Sequence, residues 1–254
     1  MSKRDELKNA RDAAIDTIEP YRDDWMRLQA DIDNLTGVDY SGFTADIGNF
    51  YPDAFTAANA EKDGSYLFGN FQSSFDAAIQ QEVASQGVDL ANITSQELLM
   101  YRQEEKDLLL SNIGPLHNAP ELHVMMEETI AIMNQEGNSI DLQNEIAQCQ
   151  MVLETIEYND TNLETNTPTS VIKLCAADIA IESGYKPSID YMSGMLAEAL
   201  NEDITHAINT GQKFPASDIH EALDSCSHID QKVRDEFANA IDHVAEADNG
   251  FAIE

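Results

Sequence analysis

The middle of the chain contains a long stretch that has neither lysine nor arginine. Lys106 and Lys173 enclose 66 residues without either base. Apolar residues recur in this stretch at intervals of three and four, as they do in amphipathic helices, so it is not a polar tail. It therefore has to fold into helices whose outer faces carry acid without base. Its 11 carboxylates belong to Asp107, Glu121, Glu127, Glu128, Glu136, Asp141, Glu145, Glu154, Glu157, Asp160 and Glu164.

Two apolar series inside the stretch have the spacing of a buried helix face. The first series is Leu122, Met126, Ile130 and Met133, and the second is Leu142, Ile146, Cys149, Leu153 and Ile156. Similar patterns, bounded by capping residues, glycines and prolines, cover most of the chain. No alternating strand pattern and no internal repeat accompanies them. The sequence predicts an all-α fold of about nine helices in an irregular bundle.

The first predicted helix, residues 4–35, has apolar residues in a heptad pattern. Pro20 interrupts the pattern, and we expect a break near Glu19 because proline removes a backbone hydrogen bond. The seam either packs on the core of its own chain or joins two copies in a homodimer. Residues 1–30 hold six bases against seven acids, which makes self-association less repulsive there. The residues of the possible dimer seam are Ile18, Tyr21, Trp25, Leu28 and Ile32.

Residues 38–70 differ from the rest in being rich in aromatic residues and glycine. Nine of the 18 aromatic residues lie between Tyr40 and Phe75. Frequent glycines favour turns and irregular backbone over long helices. We predict an irregular segment at 38–70, followed by a helix at 70–87. Its aromatic side chains either fill the core or form an exposed contact patch.

The polar run at 159–169 is the most loop-like part of the chain, and it is the predicted position of any domain boundary. It would separate an N-terminal helical part, residues 1–158, from a C-terminal helical part, residues 170–254. A single domain is also compatible with the length of 254 residues.

Histidines and carboxylates cluster at two places where a metal site can be considered. Asp203 and His206 have the spacing of half a di-iron motif, but the second half is absent. The other place combines His220, Asp224, Cys226 and His228. Neither place has a Cys-x-x-Cys pair or a His-Glu-x-x-His segment. We therefore interpret these histidines as residues of solvated helix faces, and we predict no metal and no cofactor.

No sequence signature of catalysis is present. A reactive cysteine needs a basic neighbour that stabilises its thiolate, and Cys149 lies in the stretch without lysine or arginine. We interpret Cys149 and Cys175 as core thiols. No glycine-rich phosphate loop precedes a helix, and no serine motif lies at a strand-to-helix turn. The sequence therefore gives no reason to expect an enzyme.

The formal net charge of -33 at pH 7 restricts the possible partners. Such a charge excludes direct binding to nucleic acid and disfavours anionic membranes. Three widely spaced cysteines indicate reduced thiols, and the N-terminus lacks an apolar signal core. We expect a cytoplasmic protein, in the host cytoplasm if the chain is viral.

The acidic surface itself suggests a function. Carboxylates three or four residues apart on a helix lie about 5–6 Å from each other, close to the spacing of phosphates along a nucleic-acid strand. We expect an acidic protein-interaction module, a viral (phage) inhibitor that mimics nucleic acid and occludes the basic site of a host RNA-processing nuclease, RNA polymerase or defence nuclease. The alternatives are a structural or assembly protein of a virion, or a salt-adapted helical protein. The predicted contact residues are Glu127, Glu128, Asp141, Glu145, Glu154 and Glu157.

Overall fold

A computed structural model describes residues 1–36, 95–135 and 140–251 of the chain. The described residues form helices and no strand, which confirms the all-α prediction. The helices are α1 (Lys3–Ile18), α2 (Arg22–Thr36), α3 (Ser95–Ile113), α4 (Ala119–Met133), α5 (Ile140–Tyr158), α6 (Thr169–Glu182), α7 (Ile189–Thr210), α8 (Ala216–Ser225) and α9 (Gln231–Phe251). The predicted aromatic segment at 38–70 and the predicted helix at 70–87 lie outside the described residues.

The helix at the N-terminus is interrupted where Pro20 predicts a break. α1 ends at Ile18, and Glu19–Tyr21 form a short 3₁₀ helix before α2 begins. The sequence predicts residues 4–35 as one helix, so α1 and α2 are counted together here. The described part of the chain then has eight helices, against nine predicted for the whole chain. The ninth predicted helix, at 70–87, lies outside the described residues.

Asp230 caps the start of α9, where the Lys232 N–H donates to Asp230 Oδ1 at 2.8 Å. The helix continues past Gly250 to Phe251, because a glycine near a helix end weakens the helix without preventing another turn.

The chain divides into two compact units, Met1–Pro20 with Ile113–Glu254, and Tyr21–Asn112. Residues 159–168 connect α5 to α6 inside the first unit. The predicted separation of 1–158 from 170–254 at this connection stays a prediction.

The first unit is built around α6. This helix packs against α1, α4, α7 and α8, and all its residues from Ser170 to Ala180 are buried. A helix that is apolar on every side is stable only when neighbours cover every side. The two charged residues inside this buried run, Lys173 and Asp178, therefore both need partners.

Asp178 is the centre of a buried polar network. Its side chain is fully buried, and its Oδ2 accepts hydrogen bonds from Arg4 Nε at 2.8 Å and His228 Nδ1 at 2.9 Å. Its Oδ1 accepts the backbone N–H of His228 at 2.6 Å. Glu182, one turn later, binds both Arg4 and Lys8. The network ties α1 and the turn before α9 to the central helix.

The second unit contains α2 and most of α3. The Arg102 guanidinium and the Asp31 carboxylate are both buried, with Nε and Oδ2 3.7 Å apart. Lys106 lies over the indole of Trp25, with Nζ 5.1 Å from the ring centroid, and also bonds to Gln29. The aliphatic part of a lysine side chain can cover apolar surface while its ammonium keeps a polar partner.

Four residues of the predicted dimer seam are buried within this one chain. Ile18 on α1 is fully buried, and so, within a few per cent, are Trp25, Leu28 and Ile32 on α2. Tyr21 is half-buried. The burial of these residues agrees with the alternative in which the seam packs on the core of its own chain. The homodimer through this seam stays a prediction.

Every described helix is too short or too polar to cross a lipid bilayer.

Candidate protein-binding surface

The two apolar series predicted in the lysine-free stretch form the inner faces of α4 and α5. Leu122, Met126 and Met133 of α4 are buried, and Ile130 is partly buried. Leu142, Ile146, Cys149 and Ile156 of α5 are buried, and Leu153 is half-buried. The two helices pack against each other. Their remaining faces carry the carboxylates predicted to contact a partner.

His123 brings two of the predicted carboxylates together. Its Nδ1 lies 3.5 Å from Glu127 Oε2, and its Nε2 lies 3.5 Å from Glu157 Oε1. The His123 side chain is 9% exposed, whereas those of Glu127 and Glu157 are 56% and 61% exposed. We call these three residues the α4–α5 acidic surface. It consists of two solvent-facing carboxylates, one from each helix, on either side of a buried imidazole.

Glu128 faces a different part of the unit from Glu127. Lys173 Nζ of α6 lies 3.3 Å from Glu128 Oε1 and 4.0 Å from Glu202 Oε1 of α7. Burial raises the pKa of the Glu128 carboxyl above its ordinary value, and the Lys173 ammonium opposes part of that rise. Most of the Glu128 side chain is covered, so its main role is to pair with a buried lysine.

Asp141 and Glu145 lie near the start of α5, about 24 and about 18 Å along the helix from Glu157. Asp141 is exposed and Glu145 is half-buried. Burial, with the negative charges of Glu145 and Asp141, raises the pKa of the Tyr185 hydroxyl. Glu154 is half-buried and lies one turn before Glu157. The six predicted carboxylates therefore occupy three places and do not form one continuous row.

Cations from distant parts of the chain meet some acids of the lysine-free stretch. Lys3 Nζ of α1 lies 3.7 Å from Glu121 Oε1, and Lys173 is paired with Glu128. The expectation of a uniformly negative outer face is therefore wrong in part. Residues close in space need not be close in sequence, and α1 packs on both α4 and α5.

Two of the histidines considered as metal ligands, His220 and His228, pair with different carboxylates. His220 Nε2 lies 2.9 Å from Asp242 Oδ1, while His228 bonds to the buried Asp178. Both carboxylate oxygens of Asp203 accept backbone N–H groups at the start of α6, from Thr169 at 2.7 Å and Ser170 at 2.9 Å. Among the described residues, no group of three or more His, Cys, Asp or Glu has the arrangement of a metal site.

The three cysteines are free and buried. Burial raises the pKa of the Cys149 thiol to about 12, with a smaller opposing effect from Arg11. Contact with Cys175, together with burial, raises the pKa of the Cys226 thiol. Buried thiols with raised pKa values are poor nucleophiles. The interpretation of Cys149 as a core thiol agrees with this environment.

The sequence itself contains a signal for the network around Asp178. Asp178 is the one carboxylate between Ser170 and Ile181, in a segment that is otherwise almost entirely apolar. A lone acid in a buried helix requires a cation or several donors. Its partners could not be identified from sequence, because Arg4 and His228 are 174 and 50 residues away.

No protein family model, no curated protein and no solved structure matches this chain.

Proposed function

We propose that this chain is an acidic protein-interaction module that binds the basic, nucleic-acid-binding surface of a partner protein. The observation that carries the proposal is the α4–α5 acidic surface. There Glu127 and Glu157, from two different helices, flank the buried His123 while most of each carboxylate side chain faces solvent.

The α4–α5 acidic surface presents its charges on a packed scaffold. Leu122 and Met126 are buried beside His123 on α4, and Ile156 is buried beside Glu157 on α5. Side chains and backbone that are already ordered lose little entropy when a partner binds. A fixed pair of carboxylates can therefore contribute to specificity as well as to attraction.

The net charge of the chain favours a basic partner. With a formal charge of -33, it attracts cationic surfaces over a distance of about one Debye length, roughly 8–10 Å at physiological ionic strength. Such attraction mainly accelerates association and orients the encounter. Surfaces that bind nucleic acid are rich in arginine and lysine. They therefore carry the positive charge that the α4–α5 acidic surface attracts.

In its specific form, the proposal is a viral inhibitor that competes with nucleic acid for the partner's basic site. The support for this form is the acidic composition of the chain and its low lysine content. Competition makes a direct prediction, since the partner cannot bind this chain and nucleic acid at the same time.

The test begins with proteins captured by the immobilised full-length chain from a cell lysate at low salt. Each captured nucleic-acid-binding protein is purified, and its release from labelled nucleic acid is measured as this chain is added. We expect release at low salt, and we expect it to weaken steadily as sodium chloride is added, because the interaction is electrostatic.

Two double variants locate the contact. Glu127→Lys with Glu157→Lys should reduce competition at least about tenfold, whereas Glu221→Lys with Asp224→Lys on α8 should leave most of it. The residues of both pairs are exposed, and both double variants change the net charge equally. Equal effects of the two pairs, or capture that is insensitive to salt, would contradict the proposed surface.

A further inference from the structure

His123 is the buried part of the α4–α5 acidic surface, and both of its ring nitrogens face a carboxylate. Nδ1 lies 3.5 Å from Glu127 Oε2, and Nε2 lies 3.5 Å from Glu157 Oε1. Almost the whole side chain is covered, so water reaches little of the ring. Among the described residues, these two carboxylates are the polar partners of the imidazole.

The two protonation states of the His123 ring fit this arrangement differently. A neutral imidazole carries one N–H donor and one lone pair, an imidazolium carries two N–H donors, and an ionised carboxylate is only an acceptor. The neutral ring can therefore donate to Glu127 or to Glu157, and its other nitrogen then turns a lone pair towards a carboxylate. The imidazolium can donate to both, and its charge offsets part of theirs.

The cations of neighbouring helices contact other acids and do not take the place of that proton. α4 packs against α1, α5 and α6. Lys3 of α1 lies beside Glu121, and Lys173 of α6 lies beside Glu128. Neither α4 nor α5 contains lysine or arginine, and α5 adds a further carboxylate, Glu154, one turn before the one that contacts the ring. In the described part of the chain, a protonated imidazole is therefore the one cation within 4 Å of the two carboxylates.

We infer that His123 makes the α4–α5 acidic surface respond to pH, because its imidazolium binds the same two carboxylates that a basic partner needs. This inference rests on the proposed function, since it concerns the same surface. A lysine or arginine of the partner that reaches Glu127 and Glu157 takes acceptors from the ring and repels its positive charge. Proton and partner therefore compete, and by thermodynamic linkage each weakens the binding of the other by the same factor.

The direction of the response follows from this competition. Histidine is the side chain that ordinarily changes charge between about pH 5 and pH 8. Acid pH favours the imidazolium and weakens the binding of a basic partner, whereas higher pH leaves the two carboxylates uncompensated and strengthens it. At intermediate pH, binding of the partner should release a proton.

The test uses the full chain and a hexa-arginine peptide with acetylated and amidated ends. The peptide has no group that titrates between about pH 5.5 and pH 8, because the guanidinium stays protonated, so any change with pH belongs to the chain. Isothermal titration calorimetry at constant ionic strength measures the Kd. We expect the Kd to rise at least about fivefold from about pH 7.5 to about pH 5.5.

Two histidine variants separate His123 from the other histidines of the chain. His123→Gln removes the titrating group and keeps a side chain that can donate to a carboxylate, and its Kd should change by less than about twofold over the same pH range. His220→Gln is the matched control, because His220 also lies beside a carboxylate, Asp242 Oδ1 at 2.9 Å, but on α8. It should keep the pH dependence of the parent. Circular dichroism verifies that both variants retain their helices.

Proton release provides a measurement that needs no variant. Calorimetry of the parent at about pH 6.5, in two buffers of different ionisation enthalpy, counts the protons released as the peptide binds. We expect up to about one proton per bound peptide, since one imidazole lies between the two carboxylates. A purely structural role of His123 would give no release from this site, and the count in His123→Gln would then equal that of the parent.

Failure of the inference is distinguishable from failure of the proposed function. If Glu127→Lys with Glu157→Lys leaves peptide binding unchanged, the surface is not the binding site and both are overturned. If that double variant weakens binding while the Kd of the parent is independent of pH, the inference alone is overturned. The same holds if His123→Gln keeps the pH dependence and the proton release of the parent.

Discussion

The core around α6 and the surface of α4 and α5 both contain carboxylates, but in opposite surroundings. Asp178 in the core has no exposed side-chain surface and accepts hydrogen bonds from Arg4 and His228. Glu157 on the surface is 61% exposed, and its carboxylate lies 3.5 Å from the ring of His123. Burial makes a carboxylate depend on its partners for stability, whereas exposure leaves its charge available to another molecule.

The difference between the two regions shows where a lysine or arginine stabilises this chain most. Arg4 and Lys173 of the first unit lie beside a buried and a largely covered carboxylate, whereas Lys8 and Lys232 pair with exposed ones. An unpaired buried carboxylate is far more costly than an exposed one, so each base stabilises the fold most at such a place. The exposed acids are left with few cations, and a negative surface is the consequence.

The largest expected effect is that of Asp178→Ala. Its removal leaves the Arg4 Nε–H and the His228 N–H without their acceptor, and we expect the free energy of unfolding to fall by about 3–5 kcal/mol. Asp178→Asn keeps an oxygen acceptor and should recover part of this loss. Urea denaturation followed by circular dichroism measures both, with Asp141→Ala on the exposed surface as the control, expected within about 0.5 kcal/mol of the parent. A loss no larger than that of the control would remove the distinction between the two regions.

A smaller effect is expected for Lys173→Met, which leaves Glu128 and Glu202 without the ammonium between them. We expect a loss of about 1–3 kcal/mol near neutral pH. Burial already raises the pKa of Glu128 in the folded state, so its protonated form is favoured there, and its contribution to stability decreases as pH rises from the unfolded towards the folded pKa. Without Lys173 this decrease becomes larger.

Urea denaturation of both proteins at about pH 4 and about pH 7 checks the sign. The difference between Lys173→Met and the parent should grow with pH. A difference that is constant, or that shrinks as pH rises, would mean that Lys173 stabilises the fold by packing of its aliphatic part and not by its charge.

The smallest effect is expected for Glu182→Gln, at the solvent-facing edge of the Asp178 network. Hydrogen bonds from Lys8 and Arg4 lower the pKa of the Glu182 carboxyl to about 2. A lowered folded pKa stabilises the fold above the unfolded pKa, and the stabilisation is lost as pH falls towards about 2. Solvent screening limits the effect to less than about 1 kcal/mol.

Stability of the parent and of Glu182→Gln, measured from neutral to acid pH, tests this sign. The parent should be slightly more stable at neutral pH, and the two curves should converge in acid. Curves that run parallel over the whole range would show that the ion pairs with Lys8 and Arg4 contribute nothing that depends on charge.

Much of the fold was accessible from sequence because helix formation is governed by local patterns. The spacing of Leu142, Ile146, Cys149 and Ile156 predicted the buried face of α5, and Pro20 predicted the interruption before α2. Glycine and proline signals bounded most helices to within a few residues. Exact helix ends are less accessible, because fraying and termination depend on small energy differences that neighbouring residues do not fix.

The candidate site was only partly accessible. Carboxylates on α4 and α5 were identified from spacing, but their separation into three places was not, because it depends on which helix covers which face. Glu127 and Glu128 are adjacent in sequence, yet one faces solvent beside His123 and the other faces Lys173. Successive residues on a helix point about 100° apart, so a single packing partner can bury one and leave the next exposed.

The sequence by itself determined the helical class, the buried faces of most described helices and the excess of negative charge, because each depends on residue type and short-range spacing. Only the tertiary structure decided which acids are paired and that Asp178 holds α1 and the turn before α9 to α6. These depend on contacts between residues far apart in the chain, and helical periodicity carries no information about which helices will meet.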